Sequence, residues 1–285
     1  MSDFRERRYT AQDGIALYYR DYGDLAARTL PVICLTGLTR NSKDYADLAP
    51  RLAARRRVVC PDYRGRGQSG YDPDWRNYEP PTYLNDLRHL LAVTGIHRAV
   101  FIGTSLGGLF SCAMSLAAPS SVAGIVMNDS GPALEQGGID HILEYISKDR
   151  PQPDWDTAAA HLKTMFPGMA LQDHGEWIRM AHNTYRPGDD GMLHFDWDVD
   201  LVKPLQLMRE MPDLWPLFRG IGRIPAVAIR GEISDVLSEA TFARMQVEKP
   251  DLVRVTIPGD GHAPTLNEPE AIAAIDGLLA KLDAA

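Results

Sequence analysis

Short apolar runs recur along the chain, separated by segments in which apolar residues repeat at helical spacing. Eight runs have the composition of β-strands: 8–12, 16–22, 31–36, 57–61, 99–104, 123–128, 226–230 and 252–258. Several are apolar throughout, which is typical of strands buried on both faces of a sheet. Between them, segments such as 106–118 have the periodicity of amphipathic helices. The alternation predicts an α/β fold, a mostly parallel eight-stranded sheet flanked by helices.

One long stretch interrupts this alternation between the sixth and seventh predicted strands. It contains no convincing strand, it is rich in Pro, Trp, Met and Asp, and it has turn signals at 150–151, 166–168 and 186–188. We interpret residues 131–222 as a mostly helical cap inserted into the fold. The core is then expected to consist of residues 1–130 and 223–285.

The composition of the chain limits the kinds of molecule that it is expected to bind. The chain has 285 residues, 45% of them hydrophobic, and a net charge of -8 without any basic block. This balance argues against nucleic acid or an anionic membrane surface and favours a small, largely apolar substrate. No run approaches the roughly 18 apolar residues of a membrane span, and the charged N-terminus lacks a signal-peptide core. We therefore expect a cytoplasmic protein that binds neither nucleic acid nor membrane.

The most informative motif is Gly-Thr-Ser-Leu-Gly at residues 103–107. It follows a predicted strand and leads directly into a predicted helix, so Ser105 lies at a sharp strand-to-helix turn. This is the signature of a nucleophile elbow, in which the glycines allow the neighbouring backbone to pass close by. A serine nucleophile needs a base, and the base needs a carboxylate that holds its tautomer.

Two later loops supply such partners. Asp235 follows the run 226–230, and His262 follows the run 252–258. Both loops leave the carboxyl edge of the predicted sheet, where open α/β folds bind their ligands. The order Ser105, Asp235, His262 is the order found in hydrolases that carry a nucleophile elbow.

Taken together, these motifs resemble the α/β-hydrolase superfamily along the whole chain. Leu-Thr-Gly-Leu-Thr at 35–39 is similar to the oxyanion loop, with Thr36 where such enzymes usually carry a histidine. Asp-Tyr-Arg-Gly-Arg-Gly-Gln-Ser at 62–69 and His-Ala-Pro at 262–264 resemble two further motifs of these enzymes. Some members carry the acid after the sixth strand, which makes Asp129 the alternative to Asp235.

The resemblance implies a serine hydrolase in which Ser105 attacks a carbonyl carbon, His262 transfers the proton and Asp235 orients His262. The backbone N–H groups of Leu38 and Leu106 would form the oxyanion hole. This chemistry needs no cofactor, and the remaining histidines lack the spacing of a metal site.

A helical cap that closes over a compact ligand favours a small carboxylic ester or lactone as substrate. A carbon-carbon bond hydrolase acting on a vinylogous diketone from aromatic degradation is the alternative, and a non-catalytic small-molecule receptor is a further one. Arg40, just past the oxyanion loop, is a candidate contact for a polar substrate group such as a carboxylate.

Overall fold

The computed structural model describes residues 4–133, 143, 145–208 and 212–284. Its strands are β1 (Phe4–Thr10), β2 (Ala16–Tyr22), β3 (Val32–Leu35), β4 (Val58–Pro61), β5 (Ala99–Thr104), β6 (Val122–Asn128), β7 (Tyr185–Pro187), β8 (Leu193–Phe195), β9 (Ala226–Gly231) and β10 (Val253–Ile257). Eight of them form one sheet in the order β1-β2-β4-β3-β5-β6-β9-β10. Strand β2 pairs antiparallel with β1 and β4, and the other pairs are parallel. The prediction of a mostly parallel eight-stranded sheet is confirmed.

Helices cover both faces of this sheet. Numbered along the described segments, they are α1 (Leu48–Ala53), α2 (Pro80–Thr94), α3 (Leu106–Ala117), α4 (Trp155–Met165), α5 (His174–Thr184), α6 (Val202–Gln206), α7 (Trp215–Gly220), α8 (Glu239–Glu248) and α9 (Pro269–Asp283). Short 3-10 turns lie at Ser42–Tyr45, Trp75–Asn77, Pro119–Ser121 and Val199–Leu201. One core cluster includes Phe101 and Phe110, and the other includes Val126 and Ile275. Because both faces are buried, the central strands are apolar throughout.

Between β6 and β9 the chain leaves the sheet and forms α4 to α7 with a two-stranded antiparallel hairpin of β7 and β8. The expectation that this stretch contains no strand is therefore wrong for 185–187 and 193–195, although the turn signal at 186–188 lies at the turn of the hairpin. Each strand has three residues, which is too short for an alternating pattern to be visible. A turn in which Gly188 donates to the carbonyl of Met192 at 2.7 Å closes it, and the Tyr185 and Phe195 rings pack 4.9 Å apart across it. The cap boundaries 131–222 stay a prediction.

None of the helices in the described segments is sufficiently long and apolar to span a membrane.

Candidate active site

Ser105 lies at the junction of β5 and α3 in a strained backbone conformation, with φ 52° and ψ -116°. Few residues other than glycine adopt a positive φ without cost, and such strain is typical of functional positions. The glycines on either side have no room for a side chain. A Cβ atom on Gly103 would lie 2.2 Å from the carbonyl of Gly107, and one on Gly107 would lie 2.1 Å from the carbonyl oxygen of Leu35. The motif therefore has glycines because the turn is too tight for any other residue.

The loop after β3 runs beside this serine. A Cβ atom on Gly37 would lie 3.7 Å from Cβ of Ser105. In the part of the chain that the structure describes, the N–H groups of Leu38 and Leu106 donate to no other protein group. Leu106 begins α3, and the first N–H groups of a helix have no partner within it. Leu38 also lines the cavity described below, and the role of both N–H groups as oxyanion donors stays a prediction.

Two side chains brace the oxyanion loop. The buried guanidinium of Arg66 donates through Nε to the carbonyl oxygen of Leu38. Thr36, which replaces the histidine of similar enzymes, donates from its hydroxyl to the carbonyl of Arg40 at 3.2 Å. The loop is thus held by this chain's own hydrogen bonds despite the missing histidine.

His262 is held by a carboxylate at the end of β6. Its Nδ1 lies 2.6 Å from Oδ2 of Asp129, which is fully buried. Asp129 follows the last residue of β6 with φ 46°, and its N–H donates to the carbonyl of Ile229 in β9 at 2.7 Å. The amide of Asn128 also donates to Pro264 at 2.8 Å, so the end of β6 fixes the loop that carries His262.

This geometry corrects the expectation that Asp235 orients His262. The Nδ1 atom points to Asp129, whereas Asp235 is exposed on the loop after β9. The reason lies in the length of each connection. Asp129 follows β6 without any spacer and turns inward, but Asp235 lies four residues beyond Gly231, where β9 ends. The carboxylate beside Nδ1 of His262 therefore belongs to Asp129, the alternative acid, and not to Asp235.

Sequence reasoning also missed Ser234, the neighbour of Asp235. Its hydroxyl donates to Oδ2 of Asp129 at 2.5 Å, and the N–H of Gly231 donates to Oδ1 at 2.9 Å. No motif or spacing rule marks a serine for this task. The sequence indicated only that the loop after β9 lies at the carboxyl edge of the sheet, as the end of β6 does.

Ser105 and His262 line one cavity of about 270 Å³ between the sheet edge and the segment that joins β6 to β9. That segment contributes mostly aromatic and other apolar side chains: Tyr145, Phe166, Met169, Leu171 and Met180. Polar and charged side chains also reach it: Arg40, Asp44, Asp47, Glu176, Arg179, Asn183 and Asn267. The cavity can hold a small ligand that has both apolar and polar groups.

Arg40 lines the cavity, as expected for a substrate contact, but its guanidinium already has protein partners. It donates to both oxygens of Asp44 at 2.7 and 2.6 Å, and to the hydroxyl of Thr184 on α5 at 2.5 Å. Burial acts to lower the pKa of Arg40, but the charge of Asp44 outweighs it and leaves the pKa above its ordinary value. Arg40 thus ties the oxyanion loop to α5, and its contact with a substrate stays a prediction.

A second contact joins the loop of His262 to the inserted segment. The buried carboxylate of Asp260 accepts from the N–H groups of Ala170 at 3.1 Å and Gly261 at 3.0 Å. A Cβ atom on Gly261 would lie 2.6 Å from the carbonyl oxygen of Gly168. Burial raises the pKa of Asp260. The inserted segment therefore touches both loops that line the candidate site.

Among residues 4–133, 143, 145–208 and 212–284, no three or more His, Cys, Asp or Glu side chains are arranged to hold a metal ion. That the site works without a metal or cofactor remains an expectation from the sequence.

Comparison with known proteins adds three findings. The model of the alpha/beta hydrolase family matches residues 32–275. A 3-hydroxybutyrate-oligomer hydrolase of Cupriavidus necator is 30% identical over 264 residues, which cover 90% of this chain and 89% of the relative. The crystal structure of an alpha/beta hydrolase from Novosphingobium aromaticivorans is 41% identical, covers 99% of both chains and superposes with a TM-score of 0.92.

The chain is also similar to 2-(acetamidomethylene)succinate hydrolases, both in sequence and in structure. The 2-(acetamidomethylene)succinate hydrolase of Mesorhizobium japonicum is 28% identical over 228 residues, 79% of each chain. A crystal structure of E-2-(acetamidomethylene)succinate hydrolase is 27% identical, covers 98% of both chains and has a TM-score of 0.80. The similarity thus extends over core and inserted segment alike.

Proposed function

The chain belongs to the alpha/beta hydrolase family, and from this premise we propose that it is a serine hydrolase that cleaves carboxylic esters through an acyl-enzyme on Ser105. One observation carries the proposal. Ser105, strained at the elbow, shares a cavity with His262, whose Nδ1 lies 2.6 Å from the buried carboxylate of Asp129. A nucleophile, a base and a carboxylate that orients the base are the three groups of a Ser-His-Asp triad, which performs acyl transfer.

In the proposed reaction the Ser105 hydroxyl attacks the ester carbonyl while Nε2 of His262 accepts its proton. Asp129 keeps Nδ1 protonated and stabilises the imidazolium ion that forms. The N–H groups of Leu38 and Leu106 donate to the oxyanion, and donors of this kind contribute about 3 to 4 kcal/mol each to the transition state. His262 then protonates the leaving alcohol. In the second half of the reaction, His262 accepts a proton from water, which attacks the acyl-enzyme. His262 then returns the proton to Ser105 as the carboxylic acid leaves.

We propose a small ester of a hydroxy acid, including short oligoesters, as the substrate class. A cavity of about 270 Å³ suits a small ligand, and its apolar wall suits an acyl chain. Polar side chains such as Asn183 and Arg179 also reach the cavity and suit hydroxyl or carboxylate groups. The relative of Cupriavidus necator is named as a hydrolase of 3-hydroxybutyrate oligomers, which are esters of this kind.

The test combines a covalent probe with turnover. The protein, Ser105→Ala and Ser238→Ala are treated with a fluorophosphonate and with p-nitrophenyl butyrate, and adduct mass and nitrophenolate are measured. Ser238 caps α8 and serves as a matched serine control. We expect labelling on Ser105 and turnover in the protein and in Ser238→Ala, and neither in Ser105→Ala. Turnover that survives in Ser105→Ala overturns the proposal.

A substrate panel then tests the class. We expect the dimer and trimer of 3-hydroxybutyrate to be cleaved with a higher kcat/KM than a lactone or a vinylogous diketone. Faster cleavage of the diketone would overturn the ester assignment in favour of a carbon-carbon bond hydrolase. Thermal stabilisation by a ligand without labelling or product would favour a receptor instead.

A further inference from the structure

The Asp129 carboxylate accepts hydrogen bonds from the turn after β9 and from the loop that carries His262. Gly231, at the end of β9, donates to Oδ1, while Ser234 and His262 both donate to Oδ2, at 2.5 and 2.6 Å. The serine hydroxyl and the imidazole therefore share one carboxylate oxygen. A change at Ser234 acts directly on the atom that holds His262.

The oxygen of Ser234 is itself fixed by the loop. It accepts from the N–H groups of Val236 at 3.2 Å and Leu237 at 3.1 Å. With these donors on the oxygen, the hydroxyl proton remains to be donated, and Asp129 is the acceptor it meets. Donors on the oxygen also strengthen the bond that the hydroxyl makes, because hydrogen bonds in a chain polarise one another.

We propose that Ser234 is a positioning residue for the hydrolytic reaction: its hydroxyl fixes the rotamer of Asp129 and, through Asp129, the orientation of the His262 imidazole. The proposal rests on the proposed function. Without the hydroxyl, the Asp129 carboxylate keeps Gly231 and His262 as its partners among the described residues, so the imidazole is less well oriented towards Ser105. The positive end of the hydroxyl dipole would also be lost beside the imidazolium ion that forms in the reaction, so the charge of Asp129 would act more strongly on that ion.

The charged groups around this site stay the same when the hydroxyl is removed. Asp260, on the loop of His262, has a pKa raised by burial and also by the charges of Glu268 and Asp129. Asp235 follows Ser234 in sequence and is exposed. Because serine is neutral, a shift of the pH profile in a Ser234 variant reports the lost hydrogen bond and not a lost charge.

The test compares Ser234→Ala, Ser234→Thr and Ser238→Ala by the pH dependence of kcat and kcat/KM for p-nitrophenyl butyrate. For Ser234→Ala we expect kcat to fall on the order of tenfold with little change in KM, as loss of one hydrogen bond to a charged group implies. The acid limb of kcat/KM should move to higher pH. Ser234→Thr keeps a hydroxyl and should restore most of kcat and the original pH profile.

Ser238→Ala controls for damage to the loop. It removes the cap whose hydroxyl accepts from the N–H of Thr241, so it lowers the melting temperature without touching Asp129. The proposal is overturned if Ser234→Ala keeps the parent kcat and pH profile, or if Ser238→Ala shifts the profile equally. The Asp129→Asn variant distinguishes failure of this proposal from failure of the proposed function. If Asp129→Asn is inactive and Ser234→Ala behaves like the parent, only the role of Ser234 is rejected.

Discussion

Replacement of Asp129 by asparagine tests which acid orients His262. The side chain keeps its size, but one oxygen becomes an amide nitrogen that can only donate. If the amide nitrogen takes the place of Oδ2, it faces two other donors, the Ser234 hydroxyl and Nδ1 of His262. With the nitrogen in place of Oδ1, it meets one donor, the N–H of Gly231. The second orientation is therefore favoured, and one conflict between donors remains.

The expected magnitudes follow from this geometry. Because Asp129 is fully buried, the unpaired donors in the Asp129→Asn variant cost about 1 to 3 kcal/mol of folding free energy. Activity suffers more, because a neutral amide cannot stabilise the imidazolium ion. Loss of the acid's charge in such a triad lowers kcat about 10⁴-fold, which corresponds to about 5 kcal/mol of transition-state stabilisation.

The assay is kcat for p-nitrophenyl butyrate, measured for Asp129→Asn and for the matched variant Asp235→Asn, with circular dichroism to show that both are folded. Asp235 is exposed, so we expect its variant to keep the parent kcat. If Asp235→Asn loses several orders of magnitude while Asp129→Asn remains active, the argument from the His262 hydrogen bond is refuted.

Three further predictions concern stability. Gly103→Ala places a Cβ atom 2.2 Å from the carbonyl of Gly107, so we expect it to abolish soluble folded protein. The yield of soluble protein measures this, and a folded Gly103→Ala would contradict it. Gly277→Ala on the exposed side of α9 meets nothing within 4 Å, and chemical denaturation should show a free energy of unfolding raised by about 0.5 to 1 kcal/mol. Hydrogen bonds that the His194 ring donates to the carboxylates of Asp149 and Asp190 raise the pKa of His194. Its protonation therefore stabilises the fold below the ordinary histidine pKa of about 6.5, and this contribution is lost as the pH rises through the folded-state pKa. His194→Asn should lower the melting temperature more at pH 5.5 than at pH 9, and an equal loss at both would speak against the ion pairs.

The strands of the sheet were predictable because burial on both faces leaves a strong signal. The run 99–104 is apolar up to the nucleophile elbow, and β5 has the same bounds in the structure. The hairpin of β7 and β8 was not predictable, since its pairing depends on a turn at Gly188 and on ring packing between Tyr185 and Phe195. These contacts join residues on opposite strands and leave no periodic pattern in either.

The order of the candidate triad residues along the chain does not determine which aspartate contacts His262. Strands β6 and β9 are neighbours in the sheet, so an aspartate after either strand reaches the same edge. Two ionised carboxylates at one imidazole would repel each other, and one would take up a proton. Repulsion therefore disfavours a second carboxylate from the loop after β9, and the group that this loop brings to Asp129 is the neutral hydroxyl of Ser234. The proposed choice of Asp129 over Asp235 thus rests on the backbone turn at residue 129 and on the hydroxyl at 234, and the order of the three residues reveals neither.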